Sequence, residues 1–168
     1  MVQKSNIVLI GMPGCGKSTI GVLLAKRLGM EFVDTDLVIQ AGESKTLHQL
    51  IDELGMDEFC KLECKYVQSL DLNNTVIATG GSAAYYKCGM THLKKNGVVV
   101  YMYLPYEQIE SRLENLNERG VVIEPDETLK NLYEKRKILY EKYAEVTVDL
   151  TGLGHDKCTD KIIKEIDR

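Results

Sequence analysis

Apolar positions along this chain fall into two rhythms, and the alternation between them sets the expected fold. Asn6–Ile10 (NIVLI) is a continuous apolar run, the pattern of a strand buried on both faces. A glycine-rich turn follows. Over residues 18–28, Ile20, Val22, Leu23, Leu24, Ala25 and Leu28 make a helical stripe that Gly29 ends. Residues 31–33 read as a short second strand running into Asp34. From 46 to about 70 the spacing is helical, with a break near Gly55. Thr75–Ala78 (TVIA) predicts a third strand halted by Gly80 and Gly81, and residues 98–104 (VVVYMYL) a fourth stopped by Pro105. A charged helix to about 116, a loop over 117–126, a helix over 128–143, a strand over 146–150 and a closing helix over 156–166 complete the order.

Strands alternating with helices imply βαβ units, hence a mostly parallel sheet covered on both faces. No repeat, low-complexity tract or linker divides the sequence, so one domain over residues 1–168 is expected. Of the 168 residues, 44% are hydrophobic and 27% charged, which places the chain among ordered globular proteins. A formal net charge of -4 argues against broad capture of nucleic acid or an anionic membrane, since both need a basic footprint. It leaves room for a local cationic pocket. No apolar run approaches the ~20 residues of a bilayer span, and the long apolar core of a signal peptide is missing. A cytoplasmic location is expected, and a monomer. The five cysteines (Cys15, Cys60, Cys64, Cys88, Cys158) show no CxxC pairing and read as reduced thiols. Cys60 and Cys64 would share a helix face, where packing is favoured over metal binding because no histidine is near in sequence.

Candidate chemistry begins right after the first strand. Residues 11–19, GMPGCGKST, match GxxxxGK[ST] between a buried strand and a helix. Glycines let the backbone curl so that successive N–H groups face phosphate oxygens, and the helix N-terminus adds its dipole. Gly14, Cys15, Gly16, Lys17, Ser18 and Thr19 are therefore the expected phosphate-binding residues, with Lys17 reaching the β- and γ-phosphates and Ser18 ligating Mg²⁺. Asp34 and Asp36 close the second strand; on an extended segment residues two apart point the same way, so both would face the ligand crevice. Two carboxylates there suit Mg²⁺ and acceptance of a hydroxyl proton. Thr79-Gly80-Gly81-Ser82 ends the third strand, either as a simple turn or as a place where a ligand approaches the backbone.

With these motifs in this order the chain resembles the shikimate kinase family of small P-loop kinases. The likeness runs through GMPGCGKSTIGVLLAKRLGMEFVDTD, ATGGS, VVVYMYL and KRKILYEKYAEVTVD, nearly the whole sequence. It implies a three-layer α/β/α P-loop NTPase fold with a five-stranded parallel sheet. It also implies a helical substrate-binding segment over about 36–65 and a mobile lid over about 113–127. ATP and Mg²⁺ are the implied cofactors. Asp34 would support the Mg²⁺ shell, and Asp36 would bind the acceptor hydroxyl and act as base. Gly80 and Gly81 would offer backbone contacts, Glu63 would line the substrate site, and Arg136 would grip the substrate carboxylate. Arg112 would pack on the adenine, and Arg119 would close over the phosphates from the lid.

The departures cluster on the substrate side. The family's GExxFRxxE reads GMDEFCKLE here, so Met56 replaces a Glu and Cys60 an Arg that forms the second arm of the carboxylate clamp. Ser82 stands for a third glycine, and the lid's RPLL reads Arg119-Gly120-Val121-Val122. Lys61 is one helix position, or ~100°, away from the missing arm, which turns it aside; Lys61 and Lys65 are the candidate substitutes. The expected activity is shikimate phosphorylation. The alternatives are a kinase of another small hydroxy compound, such as homoserine or gluconate, and a nucleotide-binding regulatory module without catalysis.

Overall fold

The computed structural model describes residues 4–114, 123 and 126–167. Its centre is a five-stranded sheet of β1 (Asn6–Ile10), β2 (Glu31–Asp34), β3 (Thr75–Ala78), β4 (Gly97–Tyr103) and β5 (Val146–Asp149), ordered β2-β3-β1-β4-β5. All four pairings are parallel, with Ile7 opposite Val76 on one side and Val98 on the other. β1 and β3 are buried along their whole length, which is why their sequences are unbroken apolar runs and not alternating ones. The phosphate-binding turn leaves β1, the middle strand of the sheet.

Helices cover the sheet: α1 (Lys17–Leu28), α2 (Thr35–Glu43), α3 (Leu47–Leu54), α4 (Met56–Ser69), α5 (Lys87–Asn96), α6 (Tyr106–Glu114), α7 (Leu129–Tyr143) and α8 (His155–Ile166). Gly29 ends α1 in the left-handed conformation at φ 66°, as the sequence predicts. Thr46 and Gln49 form a reciprocal capping box on α3, and Thr128 caps α7 through the Asn131 amide. The main core gathers sheet residues with Leu24, Met90, Ile109, Tyr140 and Ile162. A second, smaller cluster of Ile39, Leu50, Ile51, Phe59 and Cys60 holds α2, α3 and α4 together beside it.

Three expectations need correction. Asp34 and Asp36 do not sit together on an extended segment: Asp34 ends β2 and caps α2, and Asp36 lies in the first turn of that helix. Residues 83–96, given no element by the apolar pattern, form a short 3-10 turn (Ala83–Tyr85) and then α5. The cysteines are not all reduced thiols, because Cys64 on α4 is disulfide-bonded to Cys88 on α5 while Cys15, Cys60 and Cys158 are free and buried.

Candidate active site

One cavity of about 740 Å³ opens where β1 and β3 end, bordered by the phosphate-binding turn, α2, α4, α6 and α7. Its shape begins with the turn. Gly14 at φ 78° and Gly16 at φ 99° adopt left-handed conformations that side chains rarely take, and Gly16 starts α1 without any side-chain cap. The first-turn amides of α1 therefore remain available for an anion. Lys17, buried, folds back and donates to the carbonyls of Gly11 at 2.7 Å and Met12 at 2.9 Å. Gly14, Gly16, Lys17, Ser18 and Thr19 line the cavity as expected. Cys15 does not: its side chain is buried in the core and its amide is committed to the Met12 carbonyl at 3.2 Å.

The Ser18 hydroxyl donates to Asp34 Oδ2 at 2.5 Å, while Asp34 Oδ1 accepts the Asp36 amide at 3.0 Å. One carboxylate thus caps α2 and anchors the end of the phosphate-binding turn. A hydroxyl beside a carboxylate is an all-oxygen donor pair of the kind Mg²⁺ takes. Among the described residues no group of three or more His, Cys, Asp or Glu could hold a metal, so a cation here would complete its shell with phosphate oxygens and water.

Asp36 turns into the cavity. Burial, then the charge of Asp34, push its carboxyl up to about 6, with Lys17 pulling the other way. Behind it lies Glu63 on α4, almost wholly buried, whose Oε2 accepts from the Ser82 hydroxyl at 2.6 Å. Its Oε1 has no hydrogen-bond partner among the described residues. Burial is the main cause that holds the Glu63 carboxyl up at about 7; Asp36 acts with it, while Ser82, Arg136 and Lys17 oppose it. Gly80 separates the two acids: a Cβ there would fall on Glu63 Oε1 and lie 2.8 Å from Asp36 Oδ1. The Gly80 amide already donates to the Thr35 hydroxyl at 3.1 Å, which commits one of the two backbone donors expected of this pair.

Arg136 on α7 is buried against the opposite wall. Its Nε donates to the Tyr85 hydroxyl at 3.3 Å and its guanidinium lies 5.4 Å from the centre of that ring. Tyr140, one turn further along α7, donates to the Gly81 carbonyl at 2.6 Å and so fixes the turn over which Arg136 reaches. Cys60 is buried beside Glu63, Ser82 and Arg136, and burial pushes its thiol up to about 11, leaving it neutral. Neither proposed substitute for the missing arm arrives. Lys61 is exposed and paired with Glu58 at 2.5 Å, and Lys65 is exposed on the far side of α4. Arg112 lines the cavity and donates to the Gly14 carbonyl at 3.0 Å. Arg119 and most of the expected lid lie outside the described residues. Tyr85 and Tyr140, which hold Arg136 and Gly81, and His155, which lines the cavity, were not singled out from sequence, whereas Ser82 was, as the residue in place of a third glycine. Only Tyr140 left a signal, its spacing of four from Arg136.

The family model for shikimate kinase matches residues 13–167. The chain belongs to the shikimate kinase family. It is 39% identical to a shikimate kinase of Clostridium botulinum over 98% of each chain, and 37% identical to that of Thermodesulfovibrio yellowstonii over 97% of this chain and 95% of the relative. The solved structure of shikimate kinase from Acinetobacter baumannii in complex with shikimate superposes with a TM-score of 0.88 at 31% identity, over 97% of this chain and 93% of that one. Shikimate kinases are phosphotransferases that move a phosphoryl group from ATP to an alcohol. The all-parallel five-stranded sheet and the phosphate-binding turn are those of the family's P-loop fold.

Proposed function

We propose that this chain transfers the γ-phosphoryl group of ATP to a hydroxyl of shikimate, as one soluble kinase domain acting as a cytoplasmic monomer. The observation that carries this reading is the facing arrangement of Asp36 and Arg136 across Gly80 and Gly81, next to Lys17. An acceptor held by its carboxylate on Arg136 has its hydroxyl directed to Asp36, and the phosphates lie on the turn before α1. Asp36, ionised above its raised pKa of about 6, takes the hydroxyl proton as the new bond to phosphorus forms. Lys17 exchanges its two carbonyl partners for phosphate oxygens and stabilises the charge on the transferring group. Ser18 and Asp34 would hold Mg²⁺, which supplies charge neutralisation on the phosphates. Arg112 and His155 border the nucleotide end, and Arg119 is assigned to closure over the phosphates. No helix among the described residues is long and apolar enough to cross a membrane.

ADP release measured with shikimate, homoserine, gluconate and nucleoside monophosphates tests the reading. Shikimate is expected to give the highest kcat/KM, and a far higher value for another acceptor overturns the assignment. Cys60 favours including homoserine, because a lone arginine facing two carboxylates also suits a zwitterion. In Cys60→Arg the new guanidinium would stand beside Arg136 and Glu63, and KM for shikimate is expected to fall by about tenfold or more. Unchanged KM would show that position 60 does not face the acceptor.

A further inference from the structure

Away from the kinase cavity a second hollow, of about 490 Å³, is lined by Gln68, Lys87, Cys88, Thr91, His92 and Lys95. Cys88 is exposed at its wall, while its partner Cys64 is buried beneath. The approach of the two helices is built in: Gly89, next to Cys88, presents only hydrogen to α4, and a Cβ there would already touch Cys64 Sγ at 3.5 Å. Reduced, the two sulfurs would still face each other. Cys88 is the second residue of α5, where the helix dipole favours a thiolate, and Lys87 precedes it. His92 and Thr91 follow at the spacing that puts them beside it. Neither Lys87 nor Lys95 is paired with an acidic side chain among the described residues. A nucleophilic sulfur thus lies in a hollow whose charged side chains are cationic, with a resolving thiol directly behind it.

We propose that Cys88 and Cys64 form a dithiol–disulfide modification site, and that the hollow around Cys88 receives a small anionic disulfide. The Cys88 thiolate attacks one sulfur of the incoming disulfide, whose S–S bond breaks and releases one thiolate, leaving a mixed disulfide on Cys88. Cys64 then loses its proton to solvent and attacks the Cys88 sulfur, expelling the second thiolate. Two protein thiols are oxidised and one external disulfide is reduced to two thiols. The bridge fastens α4 to α5. Glu63 immediately precedes Cys64, so the restraint acts on the wall formed by Glu63 and Ser82, not on the phosphate-binding turn.

The full-length protein, reduced and then treated with oxidised glutathione, is denatured, alkylated and weighed. Reduced protein is expected to take five alkyl groups and oxidised protein three, with residues 64 and 88 joined in one proteolytic fragment. Five groups after oxidation, or a bridge between other cysteines, overturns the site. Cys64→Ala is expected to retain one glutathione on residue 88, and Cys88→Ser none; a Cys64→Ala protein that stays unmodified removes the assigned order of attack. Lys87→Gln with Lys95→Gln is expected to slow the reaction with oxidised glutathione about threefold or more at low salt, leaving that with neutral hydroxyethyl disulfide unchanged. Equal slowing of both removes the anionic docking. Where acceptor turnover is measurable, oxidation is expected to shift KM for the acceptor and leave KM for ATP unaltered; the mass readout stands whether or not the acceptor has been assigned correctly.

Discussion

A methyl group at position 80 would occupy the space in which two acids face each other, which makes Gly80→Ala a direct probe of their geometry. The new Cβ collides with Glu63 Oε1 and crowds Asp36 Oδ1, and Glu63 is too buried to swing clear. We expect KM for the acceptor to rise and stability to fall by about 1–3 kcal/mol, read from steady-state kinetics and urea titration. Normal values for both would mean that Glu63 moves freely. Asp36→Asn is expected to lower kcat by roughly 10²–10⁴. The wild-type rate should decline as pH falls through about 6, where Asp36 gains its proton, and this limb should be absent from any residual activity of the variant. A variant with undiminished turnover removes Asp36 from the role of base. The individual acids were legible because motif and order pointed to them. Their shared environment was not, since Glu63 meets Ser82, and Arg136 meets Tyr85, only when α4, the 3-10 turn and α7 converge.

Among elements, α4 has two loyalties. Cys64 and Val67 face α5 and the sheet, while Phe59 and Cys60 belong to the smaller cluster with Ile39, Leu50 and Ile51. A cluster this small holds α2 and α3 with few apolar residues, so the acceptor half should open more readily than the sheet. Phe59→Ala is expected to cost about 3 kcal/mol, to raise amide exchange across residues 35–69, and to raise KM for the acceptor while nucleotide affinity holds. Exchange that instead accelerates throughout the sheet would show one cooperative unit. The apolar pattern found α4 and the break at Gly55, but it passed over α5. That helix buries only Gly89, Met90 and Leu93, and its glycine, which reads as a breaker, is the surface that lets it approach α4. The apolar pattern passed over α2 as well, which only the family resemblance implied: Asp34 reads as the end of a strand, and nothing local announces that it also caps a helix.

At the scale of the whole molecule, burying acids has a pH signature. Asp36 and Glu63 hold their protons to about 6 and about 7 in the folded chain, well above the values of exposed carboxyls, so the folded state binds more protons than the unfolded one between roughly pH 4 and 7. Stability contributed by these groups therefore falls as pH rises through that window. Glu63→Gln should be more stable than wild type by roughly 1–3 kcal/mol at pH 8, an advantage that fades toward pH 5. Urea midpoints at the two pH values check this, and a constant difference would mean that Glu63 titrates normally. The sheet was legible in outline because apolar runs name its strands, although their spatial order was not, since nothing local says that β1 lies between β3 and β4. That placement reaches beyond the finished structure. Ile7 must wait for Val76 and then for Val98 to be synthesised before its strand has both neighbours. At roughly 5–20 residues per second, the wait at the ribosome is on the order of ten seconds. Throughout it NIVLI is a β-prone, uncharged stretch with unpaired edges, the kind of segment open to wrong pairing until both neighbours have been made.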